Sequence, residues 1–264
     1  MKLGLALGGG GAKGFAHLGV LEVLTEAGID FDVVAGTSIG ALIGAVYVSN
    51  NLDKLEEFAT NISISDIPFL LGPTWPKGGL FSGNYVEKLV DQFIQYENIE
   101  DLKKPFAAVC VDLNKAEIVT FTKGNLKRSI RASTSIPGLF KPVIYQDKLL
   151  VDGGVLESVP DQAVRDLGAD FIVAVDLLRD LSDFNSFKKG GNPSIVEVVQ
   201  RSSIVAQRKI TEYKFKEAPP DIVISPPLSH IKVMDFYNGK SIIEIGREAA
   251  KKVLPELLEK INKN

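Results

Sequence analysis

Two glycine-framed turns carry most of the chemistry that the sequence offers. Gly36-Thr37-Ser38-Ile39-Gly40 follows a short apolar run and opens a helical one. A G-x-S-x-G turn between strand and helix holds its serine in a strained conformation with the hydroxyl exposed. Glycines flank it because larger side chains collide in so tight a bend. Ser38 is therefore the candidate nucleophile. One strand–helix unit earlier, Gly8-Gly9-Gly10-Gly11-Ala12-Lys13-Gly14 also leaves a strand and opens a helix. Free N–H groups and the positive end of a helix dipole stabilise negative charge there, either a phosphate or a transient oxyanion.

The second strand separates these two readings. Gly9, Gly11 and Gly14 also match the G-x-G-x-x-G of dinucleotide sites. That fingerprint needs an acidic residue at the end of the second strand, to bind ribose. Asp30 and Asp32 instead precede the apolar part of that strand, and the stretch after it, Gly36 to Gly40, holds no acid. The pattern argues against a nucleotide and for an oxyanion site.

A serine nucleophile needs a base. Asp152, in Val151-Asp152-Gly153-Gly154, ends a short apolar strand beside backbone that other groups can approach. An ordinary Asp-Gly turn is the structural alternative. His230, in Pro226-Pro227-Leu228-Ser229-His230, would complete the Ser…Asp…His order of the α/β-hydrolases. In that fold several strands precede the serine turn, whereas here a single strand–helix unit does. His17, in the first turns of the first helix, reads as a packed or capping histidine. No group of His, Cys and carboxylates has metal-ligand spacing, so neither a metal nor a cofactor is expected.

The elements that must position these residues alternate. Lys2–Leu7 and Phe31–Ala35 read as buried strands, Phe15–Ala27 and Ser38–Val48 as helices. Strand–helix–strand–helix over the first fifty residues argues for a parallel sheet with right-handed crossovers. Further strands are expected at Phe106–Asp112, Ile118–Phe121, Leu149–Val151, Phe171–Asp176 and Ile222–Ile224. Helices are expected at Leu52–Asn61, Asn84–Gln95, Leu126–Ala132, Gln162–Leu167, Ile195–Phe215 and Ile242–Lys260. The fold class is α/β, and one domain over residues 1–264 is expected. The segment Ile67–Phe81 contains the only Trp and is rich in Pro and bulky apolar residues. It reads as a core plug, or as a flap that closes an apolar site or touches a membrane. Ser182–Asn192 is polar and contains glycine, and is expected to be a mobile loop.

Composition bounds the rest. The chain has 264 residues, 45% hydrophobic and 24% charged, as in ordinary globular proteins. This excludes a disordered, collagen-like or disulfide-scaffold chain. A net charge of −3 gives no electrostatic reason to expect nucleic acid. The single cysteine, Cys110, lies in the apolar run Phe106–Val111, so a buried thiol and no internal disulfide are expected. The N-terminal apolar stretch breaks into glycines before it reaches the roughly 7–15 residues of a signal-peptide core. No run approaches the roughly 18 apolar residues of a membrane span. A cytoplasmic protein is expected.

Taken together, four blocks resemble the patatin-like phospholipases, most closely their compact bacterial members. They are Gly9 to Gly14, Gly36 to Gly40, Arg131-Ala132-Ser133-Thr134-Ser135-Ile136-Pro137-Gly138-Leu139-Phe140 with Lys141-Pro142-Val143, and Asp152-Gly153-Gly154. The resemblance implies a three-layer α/β/α sandwich with a central, mainly parallel sheet. It implies a Ser38–Asp152 dyad acting on a lipid acyl ester, phospholipid or lysophospholipid. Backbone N–H groups of Gly9, Gly10 and Gly11 would hold the oxyanion, and Gly14, Gly36, Gly40, Gly153 and Gly154 would shape the supporting loops. Lys13 would support the glycine loop or draw anionic head groups; its alternative is a solvated lysine. An unperturbed aspartate, with a pKa near 3.9, is a poor base for an alcohol, so the site must be desolvated. The sequence departs from the family at Ser158, where members carry Asn two residues before a Pro. Ser158 is expected to cap the helix whose first turn holds Pro160.

Overall fold

Runs of small and branched apolar residues become central strands buried on both faces, and the runs at 117–121 and 143–145 become strands that stay largely exposed. In the computed structural model, which describes residues 1–68, 72, 79–180, 182 and 194–263, they join one eight-stranded sheet. The strands are β1 (Leu3–Leu7), β2 (Val33–Thr37), β3 (Phe106–Asp112), β4 (Glu117–Phe121), β5 (Val143–Tyr145), β6 (Lys148–Asp152), β7 (Phe171–Val175) and β8 (Ile222–Ile224). Their order is β5-β6-β3-β2-β1-β7-β8, with β4 also paired to β3. The four pairings that join β8, β7, β1, β2 and β3 are parallel, and β4, β5 and β6 are antiparallel additions.

Successive side chains of a strand point to opposite faces, and the core divides accordingly. Leu5, Leu7, Val34, Phe106 and Val173 face one side. There they meet α1 (Ala16–Glu26), α2 (Ile39–Val48), α3 (Leu52–Asn61), α4 (Asn84–Phe93) and α8 (Gly239–Lys263). Ala6, Val33, Ala35, Ala107 and Ile172 face the other side, under α6 (Asp161–Asp166) and Phe215 of α7 (Ile195–Glu217). Helix α5 (Leu126–Ser133) lies beyond β3, where Ala132 packs with Cys110 and Leu150. The three layers expected from the sequence are present. Cys110 is the expected buried thiol, and burial pushes its pKa up to about 12.

One feature of the sheet positions the site. Residues 108 and 109 of β3 pair with β2 on one edge and β4 on the other. Residues 110 to 112 pair with β4 again and, on the edge shared with β2, with β6. Strands β2 and β6 therefore approach head to head along one edge of β3. Thr37 pairs with Val109 and Asp152 with Cys110, the next residue. Ser38 and Asp152, 114 positions apart in sequence, are thus brought to one point.

Three expectations change in detail. The first helix is preceded by a separate 3-10 turn, Gly11–Phe15. Strand β5 was not anticipated, because three residues between turns carry too little periodicity to read. The central residues of the 67–81 segment, 69–71 and 73–78, lie outside the described residues, as do 183–192 of the expected mobile loop. The described end of the first segment is anchored: the Phe81 N–H donates to the Leu139 carbonyl at 2.8 Å, and Phe81 bridges to Phe140.

Candidate active site

The serine turn forms because its two glycines let three backbone segments meet. A Cβ on Gly36 would come 2.3 Å from the Gly40 carbonyl oxygen, and one on Gly40 2.1 Å from that of Leu7. Ser38 sits between them at φ 58°, ψ −128°, a conformation costly for any residue with a Cβ. Its amide donates to Ser133 Oγ at 2.9 Å, and Ser133 in turn donates to the Val109 carbonyl at 2.5 Å. Ser133, at the end of α5, thus ties the serine turn to β3.

The Ser38 hydroxyl donates directly to Asp152 Oδ2 at 2.5 Å, with no imidazole between them. The second carboxylate oxygen accepts the Gly154 N–H at 2.8 Å, so Asp152 caps its own Asp-Gly-Gly turn. The Asp152 amide donates to the Ser135 carbonyl at 3.0 Å. Burial pushes the Asp152 carboxyl up to about 6, against the opposing pull of the Ser38 and Gly154 hydrogen bonds. The pairing therefore joins a buried hydroxyl to a carboxylate of raised basicity. Gly153 lies against the Val109 carbonyl and Gly14 against Ile39, which close the turns around the pair.

The glycine loop divides its amides between structure and open space. Gly8 N–H donates to the Val175 carbonyl at 3.0 Å and Gly9 N–H to the Ser158 carbonyl at 2.9 Å. The expectation that Gly9 donates to an oxyanion is therefore corrected, because its only N–H is committed to Ser158. Gly9 instead permits close approach: a Cβ there would lie 3.2 Å from Ser38 Cβ. Among the described residues the amides of Gly10 and Gly11 have no acceptor. Gly11 adopts φ 60° and lines the same cleft as Ser38.

His17 is a packed residue, as its position suggested. Its buried Nε2–H donates to the Gly8 carbonyl at 2.8 Å, and Nδ1 has no partner. Burial lowers its pKa to about 4, so the ring is neutral near pH 7. Lys13 is buried, which corrects the solvated reading; burial lowers its pKa against the opposing fields of Asp180 and Asp176. His230 is exposed and has no contact with Asp152, so the Ser–Asp–His arrangement is not formed. Ser158 does not cap α6. That helix begins after Pro160 without a side-chain cap, and Ser158 Oγ is buried with no partner. The backbone of Ser158, through its carbonyl, is what holds the glycine loop.

The block Arg131 to Phe140 divides its labour between residues in a way its sequence does not reveal. Besides Ser133, Arg131 is buried and donates to Ser135 Oγ (2.6 Å) and to the carbonyls of Ser82 (2.6 Å) and Lys141 (2.9 Å). It pins the wall of an apolar cleft that runs from Ser38 between α2, α3 and α4. Ile43, Leu55, Phe58, Val86, Leu89 and Phe140 line this cleft, whose cavity volume is about 90 Å³.

The fold is a three-layer α/β/α sheet whose strained serine turn meets an aspartate at the head-to-head junction of two strands. The model of the family described as Patatin-like phospholipase matches residues 5–164, and the chain belongs to that family. An uncharacterized NTE family protein of Mycobacterium tuberculosis is 36% identical over 176 residues, covering 67% of this chain and 49% of the relative. Patatin-like phospholipase domain-containing protein 6 of Homo sapiens is 30% identical over 277 residues, 95% of this chain and 20% of the relative. Lysophospholipase NTE1 of Coccidioides immitis is 30% identical over 280 residues, 97% of this chain and 18% of the relative. The chain thus spans about half the length of the mycobacterial relative and about a fifth of the other two. The crystal structure of VipD from Legionella pneumophila shares the fold, with a TM-score of 0.61 at 13% identity over 97% of this chain and 66% of that one.

Proposed function

We propose that the chain, as one domain over residues 1–264, is a serine acyl hydrolase of lipid acyl esters that works through a Ser38–Asp152 dyad. The observation that carries this reading is the direct hydrogen bond from Ser38 Oγ to Asp152 Oδ2 at the head of an apolar cleft. The cleft takes the acyl chain and sets the ester carbonyl beside Ser38. Asp152 accepts the hydroxyl proton as Ser38 Oγ attacks the carbonyl carbon. The amides of Gly10 and Gly11 hold the oxyanion; a single such donor is typically worth roughly 100- to 1,000-fold in rate. The alcohol leaves with the proton from Asp152, and the acyl group stays on Ser38. Asp152 then takes a proton from water, whose oxygen attacks the acyl carbon; the bond to Ser38 Oγ breaks, Asp152 returns the proton to that oxygen, and the fatty acid is released. Membership of the family and a relative named a lysophospholipase support phospholipid or lysophospholipid as the substrate class.

A panel of p-nitrophenyl esters, phospholipids and lysophospholipids tests the reading. Turnover rises with acyl length until the cleft is full. Val86→Trp, placed in the cleft wall, shifts the preference toward short esters by at least about tenfold, since a filled cavity rejects added methylenes. Equal turnover across chain lengths in both proteins would contradict the acyl role of the cleft.

The raised pKa of Asp152 gives a pH dependence of stated sign. The base acts as a carboxylate, and its carboxylate fraction grows as pH rises through about 6. The kcat/KM of the free enzyme is therefore full above that value and falls about tenfold per unit below it. A profile flat down to pH 4.5 would argue against Asp152 as the base.

Ser133 is a positioning residue. Ser133→Ala leaves the Ser38 amide without its acceptor, and a nucleophile displaced by a fraction of an ångström lowers kcat by roughly 10- to 100-fold. KM for a short ester stays near the wild-type value because the cleft is untouched. A rise in KM with kcat unchanged would show that Ser133 acts on the cleft instead.

A further inference from the structure

Helix α7 carries a row of large aliphatic side chains on its outward side. Its inward side is occupied by Thr211, which is buried, and by Phe215, which packs on the second face of the sheet. Outward, Ile195, Val198, Val199 and Val205 are 84%, 45%, 56% and 43% exposed, and Tyr213 is 67% exposed. Steps of three, four and seven residues set the aliphatic four along one side of the helix. A contiguous apolar strip of this kind on a surface marks an interaction site.

Charge and position indicate what covers it. From Ile195 to Glu217 the helix holds five cations, Arg201, Arg208, Lys209, Lys214 and Lys216, and three acids, Glu197, Glu212 and Glu217, so its basic residues are in excess. Glu197 is tied into the N-terminal cap by Ser194, and Glu212 pairs with Lys209 and Lys216. An apolar strip flanked by basic residues fits the surface of an anionic bilayer, with the aliphatic groups at the acyl boundary and the cations among the head groups. Through its inward side the same helix borders the dyad: a Cβ on Gly154, whose amide holds Asp152, would lie 2.8 Å from Gln207 Oε1. Among the described residues no helix is long and apolar enough to cross a membrane, so contact is made lying on the surface.

We propose that the outward face of α7 docks on an anionic lipid bilayer and so sets the dyad against the surface that supplies its ester. The proposal rests on the lipid acyl-ester reading and moves the membrane contact from segment 67–81 to this helix. The test is co-sedimentation with phosphatidylcholine vesicles, with and without phosphatidylserine. Ser38→Ala protein keeps the lipid intact during the measurement, and the same protein is compared with and without Ile195→Ser, Val198→Ser and Val199→Ser together. Partition onto phosphatidylserine vesicles falls at least about tenfold in the triple variant and weakens with salt. In the Ser38 background the triple variant hydrolyses p-nitrophenyl butyrate at the wild-type rate.

Equal partition with and without the three substitutions overturns the proposal, as does failure of the unsubstituted face to bind either vesicle. A dimer in sedimentation that the three substitutions disperse also overturns it, since the face then belongs to a second copy. If vesicles bind as expected but the Ser38 protein turns over no ester of any kind, the hydrolase reading fails while the docking face stands.

Discussion

Ser38→Ala lowers ester turnover at least about 10⁴-fold and leaves the fold intact. The substitution removes one oxygen and leaves the strained backbone at φ 58° as it is. The two glycines that shape the turn remain, as does the amide bond to Ser133. What is lost is the atom that attacks, together with the donor that Asp152 Oδ2 accepts. The Gly10 and Gly11 amides and the acyl cleft persist, so substrate binds and is not cleaved. The check is kcat for a short p-nitrophenyl ester beside circular dichroism of the same sample. Retention of more than about a hundredth of the activity in the folded variant would require a different nucleophile.

Asp152→Asn lowers turnover by about 10³- to 10⁴-fold and at the same time stabilises the protein. The amide oxygen of Asn can still accept the Gly154 N–H. The amide nitrogen then faces Ser38 Oγ as a donor, where a proton acceptor is needed. Chemistry is lost with the geometry retained. The stability change follows from the pKa. Burial pushes Asp152 in the folded protein up to about 6, above the ordinary value of 3.8. Such a group favours the folded state below pH 3.8, and that contribution is lost as pH rises through about 6. Above that value the buried carboxylate costs the fold up to about 3 kcal/mol, with its hydrogen bonds already counted in the value of about 6. Asn carries no such cost. Its thermal midpoint exceeds that of the wild type at pH 8, and the gap narrows toward pH 5. A variant less stable than wild type at pH 8 would show that the carboxylate stabilises its surroundings, and the argument for a costly, raised-pKa base would fail.

The serine turn and the glycine loop were legible in the sequence because each is a local device, a few residues whose types dictate one backbone path. The alternation of strands and helices gave the layered sheet for the same reason. Asp152 was visible as a strand-end Asp-Gly-Gly, and its pairing with Ser38 followed from resemblance, since it depends on β2 and β6 meeting on β3. The errors also lie at long range. Gly9 loses its amide to a carbonyl at Ser158, a contact set by how the 153–160 turn docks beside β1. Lys13 reads equally as loop support or as a solvated lysine until the fold buries it near Asp176 and Asp180. Ser158 has the right chemistry for a cap, but the helix starts past Pro160 and its side chain is left inside. Ser133 sits in a block already recognised, yet its hydroxyl bridge from Ser38 to Val109 needs the end of α5 against β3. Helix α7 was anticipated as a helix, and which of its sides stays bare depends on the layer beneath it.

Mass spectrometry of the protein treated with a long-chain alkyl fluorophosphonate tests the Ser38–Asp152 pair most directly. The expected result is a single phosphonyl adduct on the Ser38 peptide. Its rate of formation falls as pH drops through about 6, is strongly reduced in Asp152→Asn, and is unchanged in His230→Ala. An adduct on another residue, full labelling in Asp152→Asn, or dependence on His230 would contradict the dyad.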